Sequence, residues 1–164
     1  MTWTGFLQSL YDSAVGSSIR ESGVLFPWIE SVHVLMATTV VGSIAIVDLR
    51  LIGYASHRRG ARRLILDLLP YTWVAFALAV TTGSLLFTSN ALGYATNTQF
   101  QCKMAVLALA GINMAIFHMT AYRQIGRWDD ALPPPRPARI AGVTSLTLWI
   151  LVVFFGRWIG FTMQ

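Results

Sequence analysis

Residues 26–49 read FPWIESVHVLMATTVVGSIAIVDL. Apart from Glu30, His33 and Asp48, the run is apolar, small, or carries a hydroxyl able to bond its own helix backbone. At about 1.5 Å per residue such a stretch covers a hydrocarbon core of about 30 Å. Pro27 at an early helical position and Trp28 at the boundary suit the opening of a membrane helix, and Asp48, Arg50 and Tyr54 close it. Three further runs share this character, over residues 68–88, 104–122 and 140–161. Backbone amides in lipid must be satisfied within their own segment, so residues 24–164 are predicted to form an all-α, polytopic integral membrane four-helix bundle.

The whole composition agrees. Of 164 residues 55% are hydrophobic and only 12% charged, with a mean hydropathy of +0.58, too apolar for an ordinary soluble domain. The net charge of +5 gathers beside the apolar runs rather than in a stripe with interleaved aromatics, which argues against a nucleic-acid partner and for the lipid bilayer. Cys102 stands alone, so no internal disulfide or multi-cysteine metal site can form, and it reads as a small core or interface residue. The sequence holds no Walker loop, nucleophile elbow, HExxH, CxxCH or GxGxxG, and it reads as a subunit rather than a stand-alone enzyme.

Residues 1–23 lack both the early positive charge and the apolar run of a secretory signal, so this segment is expected to be retained. Trp3, Phe6, Leu7, Leu10, Tyr11 and Val15 recur near helical spacing and predict a short amphipathic helix lying in the interface; a loosely ordered tail is the competing reading. Arg50, Arg58, Arg59, Arg62 and Arg63 fall between spans one and two, and Arg123, Arg127, Arg136 and Arg139 between spans three and four, against only Arg20 and Lys103 on the other side. The positive-inside rule then places both arginine-rich loops in the cytoplasm and both termini outside, in the periplasm of a bacterium whose inner membrane the chain crosses. These arginines read as topology signals and anionic-lipid contacts. Pro133, Pro134, Pro135 and Pro137 make the last loop a stiff strap, and His57 reads as a solvated loop residue.

Ionisable residues inside the spans carry what functional signal there is, because a charge near the bilayer centre costs roughly 2.5–3.5 kcal/mol on insertion scales. Glu30 and Asp48 are five helical turns apart on one face of span one, with His33 about 60° away. With Lys103 at the start of span three and Arg157 near the outer end of span four, Glu30 and His33 predict an outer-leaflet cluster in which Glu30 and Arg157 form the ion pair. Such a cluster is either a structural clamp or a pocket for a quinone head group, a haem propionate or another anionic ligand. His33 and His118 raise a bis-histidine haem b, with both as axial metal ligands. Depth opposes one haem within one chain: His33 falls about 10 Å outside the midplane and His118 about 7 Å inside it. His33 with Met36 or Met104, a single-histidine site, or His33 paired with its copy in a homo-oligomer stay open. Asp48 is expected to cap the inner end through Arg50 or Arg123, and Asn113 to bond between helices.

The run at 26–53, together with TTGSLLFTSNALGY at 81–94 and NTQFQCKMAVLALAGINMAIFH at 97–118, resembles an uncharacterised family of small four-helix bacterial inner-membrane proteins. That resemblance covers nearly the whole chain from Pro27 and implies the fold, with no activity to carry over. In helix number and in histidines near helix ends the chain is also similar to cytochrome b561-type and CopD-like membrane proteins, without the full set of paired histidines that two haems need. The functional expectation is a membrane subunit or anchor with a redox role, holding haem or quinone on the outer side and working with a redox or periplasmic partner. A cofactor-free scaffold and a small proton-coupled carrier using Glu30 and Asp48 are the alternatives.

Overall fold

The computed structural model describes residues 2–54, 60–129 and 133–163. His57, Arg58 and Arg59 lie outside the described residues. Two short helices, α1 (Trp3–Tyr11) and α2 (Ala14–Glu21), lead into the long α3 (Leu25–Ile52). Then come α4 (Ala61–Ser89), a short α5 (Ala91–Thr96), α6 (Thr98–Met119), a 3-10 turn over Tyr122–Arg127 and α7 (Arg136–Thr162), with no strand among the described residues. α3, α4, α6 and α7 are long and apolar enough to cross a membrane, which makes this a multi-pass membrane protein.

Local chemistry sets the helix ends. Ser13, Asn90 and Asn97 accept the amides of Gly16, Gly93 and Phe100 at 3.1, 3.2 and 3.0 Å, capping α2, α5 and α6. α3 stops at Gly53, whose φ of 87° is the left-handed turn glycine adopts without a Cβ clash. α4 begins well before residue 68, and Pro70 lies inside it without ending it. The N-terminal segment is two helices rather than one, because Ser13 leaves the first helix in an extended conformation and starts the second.

The spans are arranged as an arc. α3 packs against α4 on one side and α7 on the other, α7 packs against α6, and α4 and α6 do not pack along their lengths. α5 bridges α4 and α6 at one end, and the 3-10 turn touches both at the other. α1 and α2 fold over the α5 end. There α2 lies so close to α4 that a Cβ on Gly16 would sit 2.7 Å from the Thr88 carbonyl oxygen, and Arg20 donates to the Ser89 carbonyl at 3.1 Å.

Among the described residues a cluster of buried apolar side chains seals the arginine-rich end: Leu51, Ala61, Ile65, Phe117, Ala121, Ile125, Trp128 and Ala138. Arg50, 1% exposed, runs through this seal to donate to the Asp129 carbonyl at 2.8 Å, while Asp129 Oδ1 accepts the Arg62 amide at 2.6 Å. Asp48 is equally enclosed, but its carboxylate accepts from Ser145 of α7 rather than from Arg50 or Arg123. The reason is helical: Arg50 is two residues on, about 200° around the axis, so the two side chains leave α3 on opposite sides.

Between the spans the polar contacts are sparse and spread one interface at a time. Thr72 of α4 bonds Ser43 of α3 at 2.8 Å, and Asn113 of α6 donates to the Ala141 carbonyl of α7 at 3.1 Å, as its mid-span position predicts. Each such bond is worth about 0.6 kcal/mol on average in a membrane.

Candidate functional site

His33 sits in the first third of α3, on the side facing α4. Its Nδ1 lies 2.9 Å from the Ala79 carbonyl oxygen and 3.1 Å from the Thr82 hydroxyl oxygen. A carbonyl can only accept, so Nδ1 carries a hydrogen, and in the neutral ring the lone pair is on Nε2. The ring lies against Gly83, where a Cβ would stand only 3.0 Å from Cε1. A Cβ at 83 requires the imidazole to give way by a few tenths of an ångström.

Lys103 reaches the same region from α6. Its stem runs beside Gly156 of α7, with Nζ 3.5 Å from where a Cβ on that glycine would be, and its charge acts on His33. It is half-buried, yet its ammonium makes no hydrogen bond or ion pair among the described residues. Glu30, one turn before His33, is exposed at the helix end and acts electrostatically on both His33 and Tyr94. The half-buried Tyr94 of α5 has its phenol pushed above the ordinary value, first by burial and then by the Glu30 carboxylate. Phe87, Tyr94 and Phe100 join as a ring cluster with centroids 5.5–6.2 Å apart, contributed by α4, α5 and α6 where the first and last of these helices are otherwise apart.

The structure therefore brings Glu30 and Lys103 within electrostatic reach of His33, and Tyr94 within electrostatic reach of Glu30. It does not bring Arg157 to them as an ion-pair partner. Arg157 is exposed on α7 and lays its guanidinium over the Phe161 ring at 4.9 Å, so the expected Glu30–Arg157 pair is absent. Glu30 and Asp48 also part company, the first exposed and the second buried. His118 is the penultimate residue of α6, bonded through Nδ1 to the Met114 carbonyl at 2.9 Å and packed on Phe117 and Tyr122. α3 and α6 run parallel, so His33 near the start of one and His118 at the end of the other lie at opposite ends of the molecule. The two do not share a site. Among the described residues no group of three His, Cys, Asp or Glu side chains is placed to hold a metal ion.

Sequence reasoning missed Tyr94 and the aromatic ring cluster, whose signal was present in the close spacing of Phe87, Tyr94 and Phe100 on either side of the Asn90 and Asn97 turns. Gly83 seats the His33 ring.

Comparison with known proteins adds a family and nothing finer. No curated protein and no solved structure matches the chain. A family model described as a family of unknown function, DUF6644, matches residues 10–162, and so takes in α2, all four spans and the His33–Lys103–Tyr94 site. The chain belongs to that family, DUF6644.

Proposed function

We propose that the protein is a membrane subunit that binds the head group of a quinol between α3, α4 and α6, in the leaflet facing away from the cytoplasm. The observation that carries this reading is the pair of unsatisfied groups at one depth: a tautomer-fixed imidazole with a free acceptor on Nε2, and a half-buried ammonium with no partner among the described residues. An ionisable group at membrane depth is costly unless it is matched, so both favour a ligand that donates to one and accepts from the other. A quinol hydroxyl does this, giving its hydrogen to Nε2 and accepting from Lys103 Nζ through its oxygen. The ring cluster supplies flat apolar surface for such a head group, and the unpacked seam between α4 and α6 suits an isoprenoid ligand arriving sideways from lipid. The arginine-rich end is taken as cytoplasmic by the positive-inside rule.

The test is to purify the full chain from membranes and measure extractable quinone per chain, alongside the oxidised and dithionite-reduced absorption spectra. Near-stoichiometric quinone is expected, lost in His33→Ala, reduced in Lys103→Met and reduced in Gly83→Ala, whose methyl makes the ring give way. A Soret band that depends on His33 would replace the quinol by haem b, since a free Nε2 lone pair equally suits iron. Colourless, quinone-free protein with intact helical content would overturn the reading and leave the scaffold.

A further inference from the structure

Where α3 ends and α7 begins, a groove of about 380 Å³ is lined by Ile52, Arg136, Arg139, Ile140, Val143 and Thr144. Beside it α3 and α7 approach closely: a Cβ on Gly142 would stand 3.0 Å from the Asp48 carbonyl oxygen and 3.1 Å from Leu51 Cβ. The groove is thus a furrow between two tightly packed helices. On α7, Arg136, Arg139, Ile140 and Val143 follow at helical spacing and lie on one face. Ile140 and Val143 are 66% and 50% exposed, although they line the groove.

The charges are placed against their own helix. The first turn of α7 holds no acidic residue and carries both arginines, whereas a helix start favours carboxylates and repels cations. Neither guanidinium makes a hydrogen bond or ion pair among the described residues, and no acidic side chain lines the groove. Two unneutralised guanidiniums at the end of an apolar span, with a bare aliphatic wall directly below, are complementary to a molecule with a phosphate head and a hydrocarbon tail. We propose that this groove docks an anionic phospholipid, its phosphate held between Arg136 and Arg139 and an acyl chain lying along Ile52, Ile140 and Val143. The planar guanidinium fork matches phosphate oxygens in pairs, and the aliphatic wall distinguishes a lipid from a free phosphate, which would leave that wall uncovered. A zwitterionic lipid brings its own cation to the phosphate and binds more weakly.

The test is native mass spectrometry of the full chain in detergent, titrated with phosphatidylglycerol or phosphatidylcholine. A retained phosphatidylglycerol adduct is expected, preferred over phosphatidylcholine by about tenfold or more, as two basic side chains near a head-group layer supply. Replacing both Arg136→Gln and Arg139→Gln should cost at least that preference, while Arg62→Gln with Arg63→Gln, exposed at the same end but outside the groove, should leave it unchanged. Val143→Trp keeps both arginines and fills the apolar wall, and should weaken the adduct to a similar degree; it decides alone if the double glutamine variant fails to fold. An adduct indifferent to both groove variants, an equal loss in the Arg62 and Arg63 pair, or displacement by inorganic phosphate at matching concentration would each overturn the proposal.

Discussion

Asp48 shows how much a single residue's role depends on its neighbours. It is 3% exposed, hydrogen-bonded to Ser145, and its Oδ2 has no hydrogen-bond partner. Burying an unpaired charge is far more costly than burying a neutral polar group of the same shape. Asp48→Asn is therefore expected to leave the melting temperature in detergent unchanged or raised; a fall of several degrees would mean that the ionised carboxylate is required. Asp48→Lys should fail to assemble. The sequence marked Asp48 as out of place in lipid but named the wrong partner, because the nearest arginine in sequence leaves the opposite side of α3. Arg50 was read among the loop arginines, yet α3 continues to Ile52 and carries it into the core. His33 fared better: depth alone separated it from His118, and the structure places them at opposite ends.

Among the elements, α5 has the largest consequence for its length. Six residues between two asparagine caps close one end of the seam between α4 and α6 and deliver Tyr94 to the site. Tyr94 also gives the element a pH signature. Its folded phenol is raised above the ordinary value of 10.0, so the stability it contributes is fully present below pH 10 and is lost as pH rises through the folded value, where the unfolded chain ionises more readily. Melting in detergent between pH 9 and 12 should fall more steeply for the parent than for Tyr94→Phe; parallel curves would remove Tyr94 from the buried cluster. α5 was not legible in the sequence, since ALGYAT has no amphipathic period long enough to read and depends on its caps and on contacts with α1, α4 and α6. The four long helices were legible because their length and apolarity are properties of the chain alone; most of their ends lie outside the apolar runs, while α6 stops at Met119, short of the expected Tyr122.

For the molecule as a whole, the two ends are built differently. One is sealed by an apolar cluster threaded by Arg50, and the other carries the half-buried polar groups under α1, α2 and the ring cluster. The proposed orientation puts the sealed end in the cytoplasm. In a Cys102→Ala background, Thr4→Cys should react with an impermeant maleimide added to intact spheroplasts, and Arg63→Cys only after lysis; the reverse pattern would invert the map and move the His33 site to the cytoplasmic leaflet. Both positions are exposed, so accessibility reports the side and not burial. What the sequence determined by itself was the class of the molecule: four apolar helices, the excess of arginine at one end, and a few ionisable residues that lipid does not tolerate. Those follow from transfer free energies summed along a chain, which need no knowledge of neighbours. Only the tertiary structure decided that the spans form an arc rather than an evenly closed set, that Lys103 rather than Arg157 joins His33, and that Gly83 seats the imidazole. Each of these is a choice of partner across helices, and a helix with apolar side chains on every face carries little periodicity from which its neighbours could be read.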